Sequence, residues 1–163
     1  MTAIFPRRAP LAIVLASIAI LGTALASQYW GGLNPCELCL WQRWAYVAAI
    51  GGGAVALGLP RGQARAAVIG AAALAFLAGA GIAAFHVGVE QQWWRGLATC
   101  SGPGGGAASV EALKAQILAA PVTRCDEVQF RLLGLSMAGW NVLASLALAG
   151  FGLWAVRAEW RAA

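Results

Sequence analysis

The chain has 163 residues, of which 61% are hydrophobic and only 10% charged, with a net charge of +5 and a mean hydropathy of +0.73. That balance excludes an ordinary soluble domain and points to a membrane protein with room for a few spans of about 20 residues and short connections. Six of the eleven basic residues (Arg7, Arg8, Arg61, Arg65, Arg157 and Arg161) stand just outside apolar stretches, so the positive charge speaks of membrane topology and not of nucleic acid.

Apolar runs at residues 11–26, 44–59, 66–85 and 132–156 predict four transmembrane helices. The expected fold is an all-α membrane protein, a four-helix bundle forming one integral-membrane domain over residues 1–163. Small residues (Gly51-Gly52-Gly53, Gly70, Gly79 and Gly81) permit close helix packing, although the triple glycine equally weakens the second helix. Arg7-Arg8, the first apolar run and Ala24-Leu25-Ala26 also have the layout of a cleavable leader. Cleavage would leave the sidedness of every later segment unchanged.

The basic residues place both termini and the connection between the second and third spans in the cytoplasm. Loops of about residues 27–43 and 86–131 then face the opposite compartment, and all four cysteines fall in them. Trp30, Trp41, Trp44, Trp93 and Trp94 gather near the same boundary, as interfacial anchors do.

Cys36 and Cys39 lie in Pro35-Cys36-Glu37-Leu38-Cys39, directly before the second helical run. Proline suits a first helical turn, and free backbone N–H groups at a helix start favour a thiolate. Arg43, four residues after Cys39, shares its helix face; it either steadies a Cys39 thiolate and polarises the carbonyl of a bound acceptor, or snorkels to the interface. Cys100 and Cys125 lie in the second loop, around a Gly/Ser/Pro-rich run and a stretch in which Ser109 caps a short amphipathic helix. Val110, Leu113, Ile117 and Leu118 form its apolar side, and Pro121 ends it. A disulfide in such a loop suits exchange better than stapling.

Zinc is a weak competitor, because the second cysteine pair is 25 residues apart and His86 is the sole histidine. No metal is expected. His86, at the outer end of the third run, either donates a hydrogen bond to an acceptor molecule or caps the helix.

The set of four runs, Pro-Cys-x-x-Cys with Arg43, a loop cysteine pair, and Cys125-Asp126-Glu127 leading into Leu133-Gly134-Leu135-Ser136-Met137 and Trp140 resembles the disulfide bond formation protein B (DsbB) family of bacterial inner-membrane thiol–quinone oxidoreductases. Ala138 departs from the proline common there. The resemblance implies that Cys100–Cys125 is a disulfide attacked by a periplasmic thiol oxidase of the DsbA kind, through Cys100. Electrons would pass to Cys36–Cys39, and from Cys39 to ubiquinone or menaquinone held near Arg43 and His86. Two rivals differ in testable ways. A vitamin K epoxide reductase-like enzyme normally carries its Cys-x-x-Cys late in the chain, and a tetraspan structural protein would keep its cysteines as inert staples.

Overall fold

The computed structural model describes residues 4–97, 109–111, 114 and 123–161, with side chains from Arg8 onward. Among the described residues four long helices make up the body: α1 (Ile4–Tyr29), α2 (Glu37–Gly58), α3 (Gln63–Glu90) and α4 (Met137–Trp160). Stretches within three of them, Arg8–Tyr29, Gln63–Glu90 and Met137–Trp160, are long and apolar enough to cross a membrane. The helix α2 carries Glu37, Gln42 and Arg43 in its first two turns, which dilutes its apolar character.

Each helix end has a local cause. At the end of α1, Trp30 and Gly31 both donate their backbone N–H to the Ala26 carbonyl, and Gly32 takes a φ of 67° that turns the chain away. Cys36 caps α2, its sulfur accepting the Cys39 backbone N–H at 3.4 Å. Ser136 caps α4 in the same way, its Oγ accepting from the Gly139 N–H at 3.1 Å.

The bundle is organised around α3, which packs most extensively on α4 and then on α2, while α1 leans mainly on α2. Its core holds Ile13, Tyr46, Ile69, Phe76 and Ala149, with the Tyr46 and Phe76 rings meeting edge to face at 5.8 Å. Close approach depends on three glycines. A Cβ on Gly53 would lie 2.6 Å from Val14 Cγ2, one on Gly79 2.8 Å from Ala45 Cβ, and one on Gly152 2.9 Å from Ala73 Cβ. By contrast Gly51 and Gly81, from the same expected set, face open space.

At the end remote from the cysteines, fully buried Glu159 of α4 receives Arg61 Nε at 3.3 Å and Arg65 Nε at 3.6 Å. This ion cluster ties the α2–α3 connection and the start of α3 to the end of α4.

The apolar run beginning at residue 132 does not start as helix. Arg131–Leu132 (β1) and Leu135–Ser136 (β2) form a minimal antiparallel hairpin, with Arg131 opposite Ser136 and Leu132 opposite Leu135. Both turn residues have positive φ, 52° at Leu133 and 83° at Gly134, the twist that two-residue hairpins favour. Composition alone hid the turn because leucine outweighs one glycine in an apolar window. Trp140 Nε1 donates to the Leu132 carbonyl at 3.0 Å and pins the hairpin to α4.

Of the expected amphipathic helix, Val110, Glu111 and Lys114 are helical. Leu113, Ile117, Leu118 and Pro121 lie outside the described residues.

Candidate functional site

The α2 cap brings the two sulfurs of the close pair to 3.1 Å, both as free thiols. Cys36 is buried at the helix start and Cys39 is one turn on. The hydrogen bond from Cys39 outweighs burial and, with help from His86 and the Cys39 N–H, holds the Cys36 thiol down to about 4 from an ordinary 9.0. Cys39 is pushed up in turn, first by giving its proton to Cys36 and then by burial. The thiolate of the reduced pair therefore sits on Cys36, not on Cys39 as the Arg43 spacing predicts. The charge of Arg43 does act on Cys39 in the expected direction, but as the smallest of the influences.

His86 is brought to this pair from 50 positions away: its Nε2 lies 3.6 Å from Cys36 Sγ. It does not cap the helix, since α3 continues to Glu90. On its other side, Gln42 Nε2 donates to His86 Nδ1 at 3.0 Å, and Glu90 Oε1 lies 3.8 Å from Nε2. The Cys125 backbone also bonds the imidazole.

Cys125 is disulfide-bonded and fully buried, packed in one small cluster with Cys36, Leu38 and Val89. Three of the four expected site cysteines are thus gathered at the head of α2. Cys100 lies outside the described residues. Beside Cys125, Arg124 forks onto Asp126 at 3.0 and 2.6 Å and holds that carboxyl below its usual range. Gln129 Nε2 donates to the Asn34 carbonyl at 2.8 Å, tying this segment to the loop before α2.

Arg43 Nη1 donates to Gln28 Oε1 at 2.6 Å and Nη2 to the Ala24 carbonyl at 3.4 Å. It lines a cavity of about 410 Å³ shared with Cys36, Cys39, His86 and Asn141. The volume suits a small-molecule ring with a few oriented polar groups around it. Buried Glu90 Oε2, on the same wall, has no hydrogen-bond partner among the described residues.

Sulfur and imidazole donor atoms of Cys36, Cys39 and His86 all lie within 4.8 Å of one another. Such a set has the ligand types that soft cations take as well as those of a redox pair; counting cysteine pairs alone did not bring His86 into it.

Sequence reasoning also missed Gln42, Tyr46, Glu90, Asn141 and Ser145. A signal was present: Gln42/Tyr46, His86/Glu90 and Asn141/Ser145 are polar pairs at i, i+4, each on one face of an otherwise apolar helix.

The model of the family described as "Disulfide bond formation protein DsbB" matches residues 6–155. The chain belongs to the DsbB family. Disulfide bond formation protein B of Polaromonas sp. is 32% identical over 154 residues, covering 91% of this chain and 89% of that one. The protein of the same name from Xanthomonas euvesicatoria is 35% identical over 159 residues, covering 91% and 87%, and that from Chromohalobacter salexigens is 36% identical over 135 residues, covering 76% and 74%. As a DsbB family member the chain is a disulfide bond formation protein of oxidoreductase type, with membrane-type helices.

Proposed function

We propose that the protein is a thiol:quinone oxidoreductase that reoxidises a periplasmic dithiol oxidase of the DsbA kind and delivers the electrons to ubiquinone or menaquinone in the bacterial inner membrane. The observation that carries this function is the seat of the free Cys36–Cys39 dithiol, on the wall of one cavity together with Arg43 and His86. The fit to a quinone rests on apolar walls and on a guanidinium bonded to neutral partners, whose charge is left to meet a carbonyl oxygen. A quinone bound there supplies an acceptor for two electrons and two protons.

The remaining chemistry belongs to the chain. A thiolate of the partner attacks Cys100–Cys125, forming a mixed disulfide with Cys100 and releasing Cys125; the partner's second thiol then displaces Cys100, closing the partner's own disulfide and leaving the loop pair reduced. The loop dithiol then reduces Cys36–Cys39 by exchange and becomes a disulfide again. Finally Cys36 and Cys39 rejoin, releasing two electrons and two protons on the side of Cys39, nearer the bilayer. His86 Nε2, 3.6 Å from Cys36 Sγ, is within reach to donate a hydrogen bond to the thiolate of that sulfur. Arg43 attracts the oxygen on which negative charge develops.

For this direction of flow the chain is one membrane domain, with α2 as a further span, both termini and the Arg61/Arg65/Glu159 cluster on the cytoplasmic side, and the cysteines outside. Anaerobic mixing of purified protein with quinone and a reduced thioredoxin-like donor tests the assignment. Quinol should form with the parent and not with Cys39→Ser or Cys100→Ser; parental rates in both variants would refute it.

A further inference from the structure

Below the dithiol, Gln42 and Tyr46 of α2 face Asn141 and Ser145 of α4, four polar side chains that the electron path does not use. Polar groups are costly inside an apolar bundle unless they are bonded, and at membrane depth they mark functional sites by default. These are bonded in a single direction. Tyr46 OH donates to Asn141 Oδ1 and itself receives the Ser145 hydroxyl at 2.8 Å. Asn141 Nδ2 donates to Gln42 Oε1, and Gln42 Nε2 donates to His86 Nδ1 at 3.0 Å.

A neutral imidazole that accepts at Nδ1 carries its proton on Nε2. There it meets acceptors: Cys36 Sγ at 3.6 Å and Glu90 Oε1 at 3.8 Å. Each amide spends its oxygen on the upstream donor and its N–H on the downstream acceptor. Turning the imidazole over would therefore require Gln42 and Asn141 to turn with it.

We propose that Asn141 is a positioning residue for the dithiol: acting through Gln42, it holds His86 with its Nε2–H toward Cys36 Sγ and so favours the thiolate of a sulfur it does not touch. This rests on the assignment of Cys36 and Cys39 as the redox pair. Charged and titratable groups that share the cavity wall with Cys36 are Cys39, Arg43 and Tyr46 of α2, His86 and Glu90 of α3, and Arg124 and Glu127 of the segment before the hairpin. The wall residues of α1 and α4 are uncharged. Loss of Asn141 thus changes no charge around the sulfur, and any effect must travel through the hydrogen bonds.

The test follows the pH dependence of Cys36 alkylation in the full chain in detergent, with the close pair reduced and the modified residue identified by mass spectrometry. Asn141→Leu should raise the midpoint by about one unit, the worth of one charge-assisted hydrogen bond. Tyr46→Phe, which keeps the ring against Phe76, should move it the same way by less. In a His86→Phe background neither substitution should move it further. The inference is overturned if Tyr46→Phe and any folded Asn141 variant leave the midpoint in place, or if the shifts persist undiminished without His86. Neither donor nor quinone enters this measurement, so loss of quinone reduction with these shifts intact would count against the proposed function and not against the positioning role.

Discussion

Arg43 of α2 is held by Gln28 of α1, its Nη1 donating to the amide oxygen at 2.6 Å. Gln28 and the Ala24 carbonyl satisfy the guanidinium without neutralising it, so a net positive charge remains on the cavity wall. Gln28→Glu should therefore weaken quinone affinity much as Arg43→Ala does, while Gln28→Ala, which frees the cation without cancelling it, should weaken it less. Quinone titration of each variant at saturating donor checks the order. Equal affinity in all three would make Arg43 an interfacial anchor.

The dithiol should titrate asymmetrically. With Cys36 held near 4, its alkylation rate should be flat at neutral pH and fall as the pH drops through that value. Cys39→Ala removes the largest favourable influence, so the midpoint should move up. The sign for stability follows from a lowered value. Stabilisation of the reduced form by this thiolate is complete above 9.0, shrinks as pH falls below that, and is gone below about 4. Thermal unfolding of the reduced protein across that window checks it.

Removing Glu159 should take away the counter-ion that Arg61 and Arg65 share at the far end of the bundle. Glu159→Gln is expected to cost about 3 kcal/mol, the usual result of breaking a buried ion pair from one side. Adding Arg65→Met should recover part of that loss. Thermal denaturation in detergent micelles measures both.

Packing at the α2–α3 crossing predicts another loss. A Cβ at Gly79 already meets Ala45 Cβ at 2.8 Å, and a methyl on a helix backbone cannot swing aside. Gly79→Val should destabilise by about 2 kcal/mol through forced separation of the helices, whereas Gly81→Val, pointing at open space, should cost far less. The same denaturation assay separates them.

The hairpin offers a gain. Leu133 holds φ 52° at an 85% exposed tip, a conformation that disfavours a branched side chain. Leu133→Asn should stabilise by about 1 kcal/mol, and a fall in stability would show that the leucine is anchored elsewhere.

Membrane class, the Cys36/Cys39 cap and the placing of Arg43 one turn on were legible because each depends on near neighbours: apolar run length, helix-start chemistry and i, i+4 spacing. Where the thiolate resides was not. That depends on His86 reaching Cys36 across 50 residues and on a sulfur–sulfur distance set by the cap. Nor did hydropathy reveal the hairpin, since two residues with positive φ leave no trace in an apolar average.

The sequence by itself determined a greasy chain with two cysteine pairs in its polar segments, because hydrophobic content and local spacing act within a few turns of one helix. Only the tertiary structure decided which polar residues meet: the packing of α3 against α2 and α4 brings Gln42, His86 and Asn141 into one hydrogen-bonded line under Cys36. Buried polar groups must find partners wherever packing puts them, and those partners are far apart in the chain.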